Sequence, residues 1–162
     1  LTVPSSSTID FGDQDMAVSL WLKAPTSIAA SQQEILIKGT ITSPESGKRY
    51  EFYRKNDGSN DNFRFTIDDN VTKSEITISS SIVCTGGWVH IVAVRDTVNN
   101  QVRLYVNGVL QSSVTDATGS ISQSEPLTIS DATNPLLASV DDVRIYGSAL
   151  TNDQIYVIYV GY

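Results

Sequence analysis

Acidic side chains gather at three places in this chain: Asp10, Asp13 and Asp15; Asp57, Asn60 and Asp61; and Asp141 with Asp142. Calcium takes roughly six to eight oxygen ligands from carboxylates, amides and backbone carbonyls, so each cluster could contribute to a calcium site. None follows the EF-hand spacing. Asp and Asn are also the residues that tight turns favour, and for residues 56–62 turn chemistry is the stronger reading. Nucleophilic chemistry has little to work with. His90 is the single histidine, and in mid-strand beside Trp88 it reads as a structural residue whose ring nitrogens are hydrogen-bonded to neighbours. Cys84 precedes Gly86-Gly87 without a cationic partner nearby in sequence, which makes it a buried structural thiol. As the one cysteine it cannot close an internal disulfide, so stability has to come from packing or metal.

What must hold these groups is a succession of strands. Residues 16–22 alternate toward an apolar face, 34–38 form a short buried run, and 50–54 pair with 63–67 across the acidic tip to make a hairpin. Further strands over 75–80, 89–95, 101–106, 109–113, 127–130 and 140–146 come at the short, regular spacing of a β-sandwich, with no βαβ rhythm between them. Asn107-Gly108 accepts the positive φ values of a type I′ hairpin turn. Only the end of the chain reads as helix, over 151–159. There Thr151 and Gln154 fit a capping box, Leu150 and Ile155 a hydrophobic staple, and Ile155, Ile158 and Tyr159 share a face to lay against the sandwich.

Strand parity then selects a surface. With Tyr50, Phe52, Phe63, Phe65 and Ile67 facing the core, Glu51, Tyr53, Arg64, Thr66 and Asp68 face outward on the same hairpin. By the same rule Val102, Leu104 and Val106 point in, and Arg103 and Tyr105 point out. Tyrosine rings can stack on the C–H faces of sugars while Arg, Glu and Asp bind hydroxyls, so Glu51, Tyr53, Arg64, Arg103 and Tyr105 are the candidate glycan-binding residues. A solvated face laced by cross-strand charge pairs would have the same composition.

Composition narrows the partners. At 162 residues the chain reads as a single domain, 1–162. A net charge of −7 with only 11 Lys and Arg argues against binding a phosphate backbone. No apolar run approaches the ~20 residues that would span a bilayer. Ser and Thr are abundant and Lys is scarce, a composition associated with extracellular modules. The start at Leu1-Thr2-Val3-Pro4 reads as a piece excised from a larger protein, adjoining other domains.

Three blocks in order carry a resemblance: Ile9-Asp10-Phe11-Gly12 leading into Val18-Ser19-Leu20-Trp21-Leu22-Lys23; Gly87-Trp88-Val89-His90-Ile91-Val92 running on to Leu104-Tyr105-Val106-Asn107-Gly108; and Val140-Asp141-Asp142-Val143-Arg144-Ile145-Tyr146 before the terminal helix. Together they resemble the laminin-G-like, concanavalin A-like lectin/glucanase family. The resemblance implies an all-β fold, a two-sheet antiparallel jelly-roll sandwich with a short C-terminal helix, and binding of glycans or proteins rather than catalysis. It places Trp21 and Trp88 in the core and makes Asp141 the leading candidate ligand for a calcium ion. The chain lacks the acidic strand that members commonly carry ahead of the first block, and Ala138-Ser139 replaces the usual Gly before the last one. The Glu-x-Asp-x-x-Glu strand of the glucanases, which supplies nucleophile and acid/base, is absent: none of Glu34, Glu45, Glu51, Glu75 or Glu125 has an Asp two residues on. The expectation is therefore a non-catalytic, carbohydrate-binding module of a secreted or cell-surface protein. Its rivals are a protein-binding adhesion module of the same fold and a small polysaccharide hydrolase.

Overall fold

The computed structural model describes residues 1–29, 31–42 and 46–161. The strands are β1 (Thr2–Val3), β2 (Met16–Lys23), β3 (Ser31–Gly39), β4 (Arg49–Asn56), β5 (Asp61–Asp68), β6 (Lys73–Ser79), β7 (Trp88–Asp96), β8 (Gln101–Val106), β9 (Val109–Thr115), β10 (Leu127–Ile129) and β11 (Ser139–Tyr146), followed by helix α1 (Asn152–Val160). They pair antiparallel into a six-stranded sheet, β1-β10-β3-β4-β5-β6, and a five-stranded sheet, β11-β2-β7-β8-β9. This is the two-sheet sandwich expected from the alternation. The short edge strand β1 and the polar start of β3 are additions, since two residues carry no period and Ser31, Gln32 and Gln33 offer no apolar signal.

The inner faces meet in one apolar core. Val18, Leu20 and Leu22 from β2, Ile91 and Ala93 from β7 and Leu104 from β8 pack against Phe52, Phe63, Phe65 and Ile67. The Phe52 ring lies 4.7 Å from that of Phe65 and 5.7 Å from that of Phe63. Pairing of β4 with β5 sets Phe52 opposite Phe65, Tyr53 opposite Arg64 and Glu51 opposite Thr66, the register that parity predicts. On the other side of β4 the ladder is less regular: the register of β3 against β4 shifts between Glu34 and Leu36. This bulge sends both Ile35 and Leu36 into the core and leaves Glu34 and Ile37 on the outer face.

Helix α1 closes the outer face of the five-stranded sheet. Thr151 and Gln154 form the capping box, and Leu150 and Ile155 pack with Ala17, Val92, Val94 and Tyr105 in a second apolar cluster. Tyr159 stacks with its ring 6.0 Å from both Trp21 and His90. The tryptophans correct an expectation. Leu20 and Leu22 take the core positions of β2, so Trp21 between them falls on the outer face beneath Tyr159. Val89 and Ile91 do the same in β7 and leave Trp88 45% exposed. Asn107 at φ 49° and Gly108 at φ 76° make the I′ turn.

Candidate functional site

The outer face of the six-stranded sheet carries rows of polar side chains. On β4, Arg49, Glu51 and Tyr53 alternate with the inward Tyr50 and Phe52, flanked by Asp68, Thr66 and Arg64 on β5 and by Glu34 and Ile37 on β3. Side chains at this spacing bond to one another. Arg49 donates from Nε to Glu51 Oε1 at 2.7 Å, and from Nη1 to Asp68 Oδ2 at 2.7 Å and the Gly47 carbonyl at 3.0 Å. The Tyr53 hydroxyl donates to Glu75 Oε2 at 2.9 Å, and Glu75 also accepts from Arg64 Nη1 at 3.1 Å and Thr66 Oγ1 at 3.0 Å. These partners shield each other, leaving Glu51 2% and Tyr53 6% exposed. Pointing away from the core is therefore not exposure, and the expectation of Tyr53 as a freely exposed ring is corrected.

Alongside this row lies a cleft of about 520 Å³. Strands β3 and β4 contribute Gln32, Ile37, Arg49, Glu51 and Tyr53; β10 and the loop after it contribute Thr128, Asp131, Thr133 and Asn134. The loop is built by an Asx turn in which Asp131 Oδ1 accepts from the amides of Thr133 and Asn134, both at 2.6 Å. It is docked on β3 through the bulge, where the Glu34 amide donates to the Asn134 carbonyl at 2.9 Å. At the other end of β3, Gly39 has φ 130°, and a Cβ there would sit 2.2 Å from the Lys48 carbonyl oxygen. Only glycine lets the β3 and β4 backbones approach so closely at the cleft.

Acceptors dominate the electrostatics of this face. Glu34 is wholly buried, and neither of its carboxyl oxygens has a hydrogen-bond partner among the described residues. Burial first, then the nearby carboxylates of Glu51 and Asp131, push its pKa from 4.5 up to about 9, so it is protonated at neutral pH. Burial also pushes the Glu51 carboxyl upward, against the pull of the Arg49 guanidinium, and Glu51 Oε2 has no hydrogen-bond partner among the described residues. Sequence reasoning missed Gln32, Glu34, Arg49 and the 131–134 loop. The Asp-x-Thr-Asn turn was a visible signal, but not its docking onto a bulge about a hundred residues nearer the N-terminus.

The remaining candidates lie elsewhere. Arg64 stands beside Tyr53, its guanidinium carbon 5.7 Å from the ring centre, and belongs to the Glu75 network rather than to the cleft lining. Arg103 and Tyr105 point out of the core, but on the other sheet. Tyr105 is buried under α1 and donates from its hydroxyl to Asn152 Oδ1 at 2.7 Å, while Arg103 donates to that hydroxyl at 3.0 Å and pairs with Asp96 at 3.2 Å. They anchor the helix and share no surface with Tyr53. His90 Nε2 lies 2.8 Å from Ser19 Oγ, each residue 1% exposed beneath α1, and burial lowers the His90 pKa to about 4. This serine–histidine pair is sealed from any substrate. Cys84 is buried, and burial raises its thiol to about 11. Glu45 lies outside the described residues.

The acidic clusters take part in loop structure. Asp10 accepts from Ser122 Oγ at 2.7 Å, Asp15 from the Thr97 amide at 2.8 Å, and Asp57 from the amides of Ser59 and Asn60 at 2.9 and 2.8 Å, while Asp61 pairs with Arg54. Asp141 accepts from the Asp142 amide at 2.8 Å, and Asp142 pairs with Arg144 on its own strand at 2.8 Å. Among the described residues no three His, Cys, Asp or Glu side chains converge so as to hold a metal ion.

A model of the concanavalin A-like lectin/glucanases superfamily matches residues 1–156. No curated protein matches the sequence. Among solved structures, the chain is similar to the binding domain of botulinum neurotoxin serotype G, with a TM-score of 0.74 at 17% identity over 98% of this chain and 39% of that one. It is similar also to the binding domain of botulinum neurotoxin DC in complex with rat synaptotagmin II, with TM-score 0.70 and 14% identity over 92% and 36% of the two chains. The same neurotoxin domain in complex with SialylT gives 0.68 and 16% over 92% and 36%. At these identities the likeness is one of fold, and the chain spans under two-fifths of each of those longer chains.

Proposed function

The chain belongs to the concanavalin A-like lectin/glucanases superfamily, and from that footing we propose that it is a non-catalytic carbohydrate-binding module of a secreted or cell-surface protein, with its ligand in the cleft of the six-stranded sheet. The observation that carries this reading is the cleft's make-up. A Tyr ring, two amides, two hydroxyls and two carboxylates meet on rigid strands and a braced loop, in a volume suited to a small ligand. Glu51 and Glu75 of the face are engaged with Arg49, Tyr53, Arg64 and Thr66, Glu34 is wholly buried, and the one serine–histidine pair is sealed, which supports recognition over turnover. Structures of the same fold seen with SialylT and with synaptotagmin II lend support to a binding role.

Glycan-array screening followed by calorimetry tests the reading. Gln32→Ala and Thr133→Ala should each weaken binding of an array hit by about 1 kcal/mol, the worth of one hydrogen bond, with the melting temperature unchanged. Release of reducing ends from a polysaccharide would overturn the non-catalytic assignment. A second reading, docking of a protein partner, draws on the opposite side of the molecule. There the β8–β9 turn meets α1 at Gly108, and Val109, Leu110, Tyr156, Val157 and Val160 are exposed. Binding to a protein that is lost in Val157→Asp while glycans stay silent would favour it.

A further inference from the structure

Building on the reading of the cleft as a glycan site, we propose that the sugar it takes bears a protonated amine, as in oligomers of glucosamine, and that Glu51 and Asp131 hold the ammonium.

The donor and acceptor inventory leads there. Among the described residues Arg49 is the one cationic side chain lining the cleft, and its guanidinium is engaged by Glu51, Asp68 and the Gly47 carbonyl. The ionisable groups facing it are carboxylates, Glu51 and Asp131, with Glu34 behind them. Glu51 Oε2 is a buried acceptor without a hydrogen-bond donor among the described residues, in a side chain that lines the cleft and is 2% exposed. A buried acceptor left unpaired costs free energy that a ligand donor recovers. An ammonium brings three donors, a positive charge and no acceptor; a hydroxyl brings one donor and no charge; a carboxylated sugar brings like charge to a place with no uncommitted cation among the described residues.

Among the described residues no three His, Cys, Asp or Glu side chains stand together so as to hold a metal ion. An ammonium needs only acceptors at hydrogen-bond distance. A sugar amine is favoured over a lysine side chain because the same cleft presents Gln32, Thr128, Thr133 and Asn134, groups that match ring hydroxyls and have no role toward an aliphatic stem.

The test is calorimetry on the whole chain at pH 5.5, where the sugar amine is protonated, with oligomers of glucosamine, glucose and glucuronate of equal length. The glucosamine oligomer should bind at least ~10-fold more tightly than the glucose oligomer, and the glucuronate oligomer should not bind, as charge complementarity requires. Asp131→Asn keeps the Oδ1 acceptor that the Thr133 and Asn134 amides need, and should cut the preference at least ~3-fold. Asp153→Asn on exposed α1 removes the same charge far from the cleft and should leave the preference intact. Glu51→Gln should reduce it further; should that variant fail to fold, the Asp131 variant carries the test. Equal affinity for the glucose and glucosamine oligomers, or an equal loss in Asp153→Asn, overturns the amine assignment while leaving a carbohydrate cleft. Silence toward every oligomer, with lysine homopolymer bound in an Asp131-dependent way, overturns both in favour of a protein ligand.

Discussion

Glu34 and His90 set opposite limbs of the pH profile of stability. The Glu34 carboxyl titrates at about 9 in the folded chain against 4.5 ordinarily, because burial and two neighbouring carboxylates penalise its charge. The folded state therefore holds a proton that the unfolded chain gives up, and stability falls as pH rises across that window. The His90 ring titrates at about 4 against 6.5 through burial, so its contribution is present above 6.5 and is lost as pH falls toward 4. Thermal unfolding followed from pH 4 to 9 should show Glu34→Gln flattening the fall above pH 6.5. A variant profile parallel to the wild type would assign that limb to another group. The core and the outer face also separate at single residues. Phe65→Ala should cost about 3–5 kcal/mol by opening a cavity. Tyr53→Phe, which removes only the hydroxyl bonded to Glu75, should cost about 1–2 kcal/mol in denaturant unfolding. A Tyr53→Phe loss as large as that of Phe65→Ala would contradict the placement of Tyr53 outside the core.

At the scale of elements, what was legible in the sequence is what local chemistry decides. The Phe52–Phe65 register, the Asn107-Gly108 turn and the Thr151–Gln154 capping box follow from period-2 alternation, positive φ and orphan amides, each contained within a few residues. Three features were not legible because each depends on where distant segments meet. The bulge at Glu34 exists because β3 must pack Ile35 and Leu36 together; the 131–134 loop finds that bulge across about a hundred residues; and α1 settles over Arg103 and Tyr105, turning an outward pair into an anchor. Thr151→Ala should cost about 1 kcal/mol by unpairing the cap, and should red-shift tryptophan fluorescence as Tyr159 withdraws from Trp21. An unshifted spectrum at the same loss of stability would show that the helix stays seated without its cap.

Taken whole, the molecule has two unlike outer faces. One is sealed by α1 over Ala17, Val92 and Val94; the other has no helix over it among the described residues and carries a cleft walled by β3, β4 and the loop after β10. That asymmetry is why recognition is proposed for the six-stranded sheet, where polar groups sit on hydrogen-bonded strands. The most direct measurement is a heteronuclear NMR titration of the uniformly labelled chain with the oligosaccharide that scores highest on a glycan array. Amide shifts should concentrate at Gln32, Ile37, Glu51, Tyr53, Thr128 and 131–134, with α1 and the β8–β9 turn unmoved. Shifts confined to Val109, Leu110 and α1, with the cleft silent, would contradict the account.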